Sequence, residues 1–226
     1  MELKTNYTAF QKEITDRGIQ QLIHFTPTIN LLSIFELGKL LSRSMLEKFD
    51  VEQTDIFDYV EFTDAVRYDD KHYINLSVQH PNSFLFNRFR QKTAEHLHIT
   101  WCVLKIAPKF IYKIDTLFSV TNAANSHNKS VVGVTGDIEK FRMLFSPSVR
   151  VVTSYASREV QRINLNLKYP TDEQAEILVR DEIPLSDIFN ICFKDENELA
   201  SVKAALNGFD TSKFVVDSSL FNSSRL

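Results

Sequence analysis

Residues 22–42 read LIHFTPTINLLSIFELGKLLS, and the order of local signals within them decides the fold class. Leu22-Ile23-His24-Phe25-Thr26 is a short apolar run with one polar residue inside it, which predicts a strand. Pro27 ends the run, and Thr28 can cap a helix over 29–37 on which Leu31, Ile34 and Phe35 supply an apolar face before Gly38 stops it. Lys39-Leu40-Leu41 then predicts a second short strand. Strand, turn, short helix and strand in immediate succession point to a mixed architecture.

Upstream, Tyr7, Phe10, Ile14 and Ile19 recur at three to five residues, so 1–19 predicts an amphipathic helix closed at Gly18. Downstream, 44–70 is acidic, polar and weakly periodic, which suits a long loop or small helices over a site better than core. Residues 73–78 alternate as a strand, Pro81-Asn82 breaks it, and 83–97 predicts a helix bearing Phe84, Phe86 and Phe89 with Arg88, Arg90 and Lys92. Residues 100–106 make the strongest strand pattern in the chain. An apolar stretch to Phe118, a small-polar segment over 121–126 and a helical run near 138–145 follow, while 148–169 carries no decisive period. Strands over 173–179, 187–193 and 214–216 and a helix over 196–207, ended by Gly208, complete the chain. With no repeat and no low-complexity linker, one α+β domain over 1–226 is expected, its mixed β-sheets flanked by helices.

Composition narrows the function classes. The chain has 226 residues, with 26 Lys+Arg against 29 Asp+Glu for a net charge of -3, and 43% of it is hydrophobic. Those values belong to a globular protein and exclude one that coats nucleic acid by bulk charge, so any DNA or RNA must be handled at a site. Two cysteines, Cys102 and Cys192, without CxxC spacing rule out a disulfide scaffold or cysteine-rich zinc site, and His96 and His98 lack the acidic or thiol companions of a metal centre. None of the five glycines falls in a GxGxxG or P-loop pattern. No run approaches a membrane span and the N-terminus is polar, so the expected location is the cytoplasm, with no membrane partner.

Ile23-His24-Phe25-Thr26, Asn30-Leu31 and Gly38-Lys39-Leu40-Leu41-Ser42 together spell [IL]-H-[FY]-T-x3-N-L-x6-G-x-L-x-S. This resembles the opening of the DarT-type ADP-ribosyltransferases, toxins that attach ADP-ribose from NAD to a base of single-stranded DNA. Asp64-Ala65-Val66-Arg67-Tyr68-Asp69, then Leu76-Ser77 and Pro81-Asn82 before a Phe-rich helix, is similar to one branch of that family, as is the strand 101–106 with Asn122-Ala123-Ala124 after it. Gln174-Ala175-Glu176-Ile177-Leu178-Val179 resembles the strand that carries the family's catalytic glutamate. In order, these blocks span residues 20–193.

The resemblance implies an ADP-ribosyltransferase fold, NAD as substrate, no metal, and roles for particular residues. Glu176 is the candidate catalytic carboxylate, because cleavage of the nicotinamide–ribose bond places positive charge on the ribose and the attacking base nitrogen must lose a proton. A charge flanked by Ala175 and Ile177 needs a purpose or a partner, although an outward-facing strand residue is the plain alternative. His24 and Thr26 share a strand face and would grip NAD, with Asn30 offering an amide and Ser77 facing the nicotinamide side. A lone strand histidine is otherwise a core residue bonded to a carbonyl. Arg67 would bind the pyrophosphate or polarise the target base, or else pair with Asp64 or Asp69 in a solvated loop. Arg88, Arg90 and Lys92 would contact phosphates if nucleic acid binds, or belong to an ordinary amphipathic helix.

The expected activity is transfer of ADP-ribose to guanine or thymine in single-stranded DNA by a monomer, opposed by an antitoxin with ADP-ribosyl hydrolase activity. RNA or protein as acceptor, or an inactive NAD- or nucleic-acid-binding relative, are the alternatives.

Overall fold

The computed structural model describes residues 1–50, 71–96, 98–153, 156–222 and 225. Helix α1 (Tyr7–Arg17) buries Phe10 and Ile14 and ends at Gly18, whose φ of 69° places it in the left-handed region where glycine is favoured. Strand β1 (Leu22–Pro27), helix α2 (Leu31–Leu37) and strand β2 (Lys39–Leu41) follow in the expected order, and Gly38 closes α2 with a φ of 66°. A short helix α3 (Arg43–Phe49) leads to 51–70, which lies outside the described residues. Next come β3 (Tyr73–Val78), α4 (Ser83–Lys92), β4 (Trp101–Ile106), β5 (Leu117–Ser119) and α5 (Ile138–Met143). The second half holds β6 (Ser148–Val152), β7 (Ser157–Gln161), β8 (Glu176–Arg180), β9 (Glu182–Pro184), β10 (Ile188–Phe193), α6 (Glu196–Ala205) and β11 (Phe214–Val216).

Seven strands form one mixed sheet in the order β11-β10-β4-β1-β3-β8-β5, antiparallel except for the parallel pair β10–β11. The α+β class and its central mixed sheet are thus as expected. Alternation along β1 and β4 divides the core between the two faces. Leu22, Cys102, Leu104 and Ile106 join the larger cluster with α1 and α5, whereas Ile23, Trp101 and Val103 join a smaller one with Phe86 and Phe89 of α4.

Three local differences from the sequence reading have physical causes. Helix α4 stops at Lys92 rather than near 97, because the Thr93 hydroxyl donates back to the Phe89 carbonyl at 2.9 Å while accepting the Trp101 indole N–H at 3.1 Å. Strand β8 starts at Glu176, since the Ala175 N–H donates to the Asp172 carbonyl at 3.1 Å and keeps the preceding residues in a turn. The unassigned 148–169 region contains the β6–β7 hairpin, whose second strand is almost wholly exposed and so shows no alternation. Cys102 and Cys192 are buried free thiols; burial pushes both upward in pKa, Cys192 to about 12, which leaves them protonated and unreactive.

Phe118 is fully buried, with ring centroids 5.7 Å from Phe10 and 5.2 Å from Phe141. Phe118→Ala should cost about 3–5 kcal/mol, the range for removing a buried aromatic. A urea titration checks this: the midpoint should fall with the slope unchanged.

Candidate active site

The site begins where the sheet changes partners. Strand β3 pairs with β1 only at Leu22↔Val78 and Ile23↔Ser77, and its earlier residues Tyr73 to Leu76 pair on the other side with β8. Beyond Ile23, β1 stays with β4 while its register with β3 ends, so the β3 carbonyl edge there lacks a ladder partner. His24 fills that need, its Nδ1 lying 3.1 Å from the Asn75 carbonyl oxygen. A carbonyl only accepts, so Nδ1 carries the proton, and in the neutral ring Nε2 is an acceptor. Burial holds the imidazole below its ordinary pKa, the Asn75 hydrogen bond working in the opposite direction.

On the same strand, buried Thr26 accepts a hydrogen bond from the Asn30 amide at 3.0 Å. The sequence pattern therefore brings His24, Thr26 and Asn30 to one end of β1 and the turn into α2.

Glu176 opens β8, only 6% exposed, and pairs with Ser119 of β5. Its Oε2 accepts the Ala123 N–H at 2.7 Å. That N–H is held in place by the small-polar segment. The Asn122 side chain accepts the Ala124 N–H at 2.8 Å, the Asn125 side chain accepts the Asn128 N–H at 2.8 Å, and the Asn128 amide donates to Ser119 Oγ at 2.6 Å. Ser77 falls one position beyond the Leu76↔Ile177 pair, so the antiparallel register sets it opposite Glu176. Its hydroxyl accepts the Asn82 N–H at 3.1 Å. Strand β3 lies between β1 and β8 in the sheet order, and His24 stands one position past the last β1–β3 pair, where those two strands have parted. Ser77, and Glu176 opposite it, share the Ile23 face, while His24 alternates to the other and bonds across the strand separation to Asn75.

The three cations expected on one helix divide by geometry. Arg88 and Lys92 are four residues apart, about 40° around the helix, and Arg90 lies about 200° from Arg88. Arg90 donates to the Phe221 carbonyl at 2.8 Å, with its guanidinium over the Phe86 and Phe221 rings at 5.4 and 5.5 Å. Arg88 is half-buried and Lys92 exposed. Arg67 lies outside the described residues. The Ala123 N–H, Ser119 and Asn128 were not singled out from sequence: a main-chain donor has no letter of its own, and only the density of Asn in 121–128 marks the turns that aim it.

A family model described as "ssDNA thymidine ADP-ribosyltransferase, DarT" matches residues 23–221. The chain belongs to the DarT family. Among solved structures, Thermus sp. 2.9 DarT in complex with carba-NAD+ is 16% identical with a TM-score of 0.58, over 90% of this chain and 98% of that one. Thermus sp. 2.9 DarT in complex with ADP-ribosylated ssDNA is 14% identical with a TM-score of 0.55, over 91% and 97%. Thermosipho africanus DarTG in complex with ADP-ribose is 16% identical with a TM-score of 0.52, over 89% and 51%. No curated protein matches the chain. As a DarT-family member it is an ADP-ribosyltransferase that takes NAD as donor and single-stranded DNA as acceptor. Among the described residues no helix is long and apolar enough to cross a membrane, and no cluster of three or more His, Cys, Asp or Glu could hold a metal ion.

The His24 environment has a consequence for stability. Its folded pKa lies below the unfolded value of about 6.5, so the unfolded chain binds the extra proton more readily. The stability this difference contributes is complete above about pH 6.5 and is lost as the pH falls below it. Melting curves from about pH 7.5 down to about 5 should show the wild type losing more stability than His24→Gln. Equal losses in the two proteins would contradict this assignment.

Proposed function

We propose that this chain transfers ADP-ribose from NAD to N3 of thymine in single-stranded DNA, with Glu176 at the reacting centre. The observation that supports it is the buried Glu176 carboxylate, fixed by the Ala123 N–H at 2.7 Å beside the point where β1 and β3 part and His24 reaches across. In thymidine N1 carries the deoxyribose, which leaves N3 as the one ring nitrogen with a proton to lose. Nicotinamide departs with the electron pair of its bond to the ribose, and the N3 pair forms the new bond to that carbon. Glu176 stabilises the positive charge on the ribose and takes the N3 proton. The pyridinium and carboxylate charges are both neutralised in the step, so atoms and charge balance.

The remaining assignments follow the same reading. His24 Nε2 accepts a ribose hydroxyl, Thr26 and Asn30 hold the NAD near the start of α2, and Ser77 lies beside the nicotinamide. Arg67 supplies a cation to the pyrophosphate or the base. Arg88 and Lys92, on one side of α4, contact the phosphates of the strand, while Arg90 serves by anchoring that helix to Phe221. A base left carrying ADP-ribose must be cleared to be harmless, so the partner antitoxin is a hydrolase that removes it, and the enzyme itself acts as a monomer.

Glu176→Gln should lower transfer to a thymine-containing oligonucleotide by about a thousandfold or more, with NAD affinity by calorimetry changed by no more than about threefold, since the charge is needed where it develops in the transition state. Transfer retained near the wild-type rate sinks the assignment. With Arg88 and Lys92 as the phosphate contacts, log affinity for the strand should fall by about 1.4 per log unit of salt, ~0.7 for each contact. The duplex of the same sequence should be a poor acceptor, because its bases must first be unpaired. Intact-mass measurement of single strand, duplex, RNA and protein after incubation with NAD decides among acceptors.

A further inference from the structure

Asn82, directly before α4, is 3% exposed and all but one of its polar atoms are engaged. Its backbone N–H donates to Ser77 Oγ at 3.1 Å, its carbonyl accepts the Phe86 N–H at 2.9 Å, and its side-chain oxygen caps the helix by accepting the Leu85 N–H at 3.1 Å. The amide nitrogen Nδ2 is buried without a partner among the described residues. Native proteins rarely leave such a donor unpaired, and a ligand atom is one of the few things that satisfies it.

Its surroundings identify the ligand. Ser77, to which Asn82 is bonded, stands opposite Glu176 in register, and the next residue, Ser83, donates to Glu173 Oε2 at 2.8 Å, tying the start of α4 to the turn before Glu176. This ten-residue helix, whose first N–H groups lack intrahelical acceptors, therefore begins beside Ser77 and the turn that leads into Glu176. One residue further on, Phe84 is 59% exposed, a large aromatic side chain presented beside a site that must receive an unpaired base.

We propose that Asn82 and Phe84 form the acceptor-base subsite. Phe84 stacks on the flat face of the pyrimidine, and Asn82 Nδ2 donates to the ring carbonyl next to N3. As Glu176 removes the N3 proton, the electron pair left behind spreads onto the flanking carbonyl oxygens, so the Asn82 hydrogen bond strengthens toward the transition state. The subsite rests on the proposed transfer to thymine and adds the residues that position the base.

Asn82→Asp keeps the capping oxygen, because Asp caps helices as well as Asn, but replaces the donor with an acceptor. It should keep wild-type NAD affinity, at some cost in melting temperature because one oxygen of the new carboxylate is buried without a donor, while kcat for transfer to a single-stranded oligonucleotide falls about a hundredfold. Phe84→Ala, at an exposed position, should raise KM for the oligonucleotide about tenfold with kcat little changed, and Phe84→Trp should restore it. Transfer by Asn82→Asp within about threefold of wild type, loss of NAD affinity in step with transfer, or an unchanged KM in Phe84→Ala overturns the subsite. A wild type that transfers nothing to any single strand overturns the proposed function and the subsite together.

Discussion

A carboxylate buried at the first residue of a strand is tolerable only when something donates to it, and the Ala123 N–H bonded to Glu176 is the contact around which the site is arranged. The donor is available because 121–128 is folded into successive turns by its own asparagines rather than into helix or strand. The same segment reaches outward, the Asn125 amide donating to the Val152 carbonyl of β6 at 2.8 Å. Moving Ala123 would therefore disturb the hairpin on one side and Ser119, through Asn128, on the other. At Ala123 the carboxylate meets main chain, a donor that no side-chain substitution removes directly.

Helix α4 links this centre to the rest of the molecule. Its buried face, through Phe86 and Phe89, packs with Phe25 and Trp101 over β1 and β4, so the helix cannot shift without moving the strand that carries His24. Its last turns are fixed by Thr93 against Trp101 and by Arg90 on the Phe221 carbonyl. The C-terminal turn that supplies this carbonyl is in turn held by Lys105 paired with Asp217 at 2.8 Å. Residues far from the chemistry thus set the direction of the helix N-terminus, and the family match extends to residue 221, where Arg90 rests.

What could be read from sequence follows from where the physics is local. Gly18 and Gly38 close their helices because the chain must turn left-handed there, and β1, β3 and β4 show their apolar character directly. Strand β9 was invisible: three residues long, it exists through pairing with β2 at Leu40↔Ile183, a contact between distant parts of the chain. Strand β7 lacks a buried face and so lacks a period. In the site, His24, Asn30 and Glu176 stood out through the pattern around them. Arg90 could have been separated from Arg88 and Lys92 by counting helical angle alone, but its target at Phe221 lies 131 residues away. Asn82 was read as a strand breaker and as part of the family-like pattern but not as a site residue, since an unsatisfied donor is a property of packing and not of composition.

Identity of 14–16% to the Thermus and Thermosipho chains, alongside TM-scores of 0.52 to 0.58, fits this division of labour. Apolar positions in the two core layers ask for volume and pattern, so many sequences satisfy them. The strand separation at Ile23 and Ser77 asks for more. An unpaired β3 carbonyl there needs a donor, and a small ring with one N–H toward Asn75 is a good answer, because the side chain then closes the ladder while its second nitrogen stays an acceptor. A lysine would donate without keeping an acceptor, and a threonine is too short to reach across. The structural gap alone gives His24 a reason to sit inside an otherwise apolar strand, and the proposed NAD contact would use the nitrogen that this leaves over.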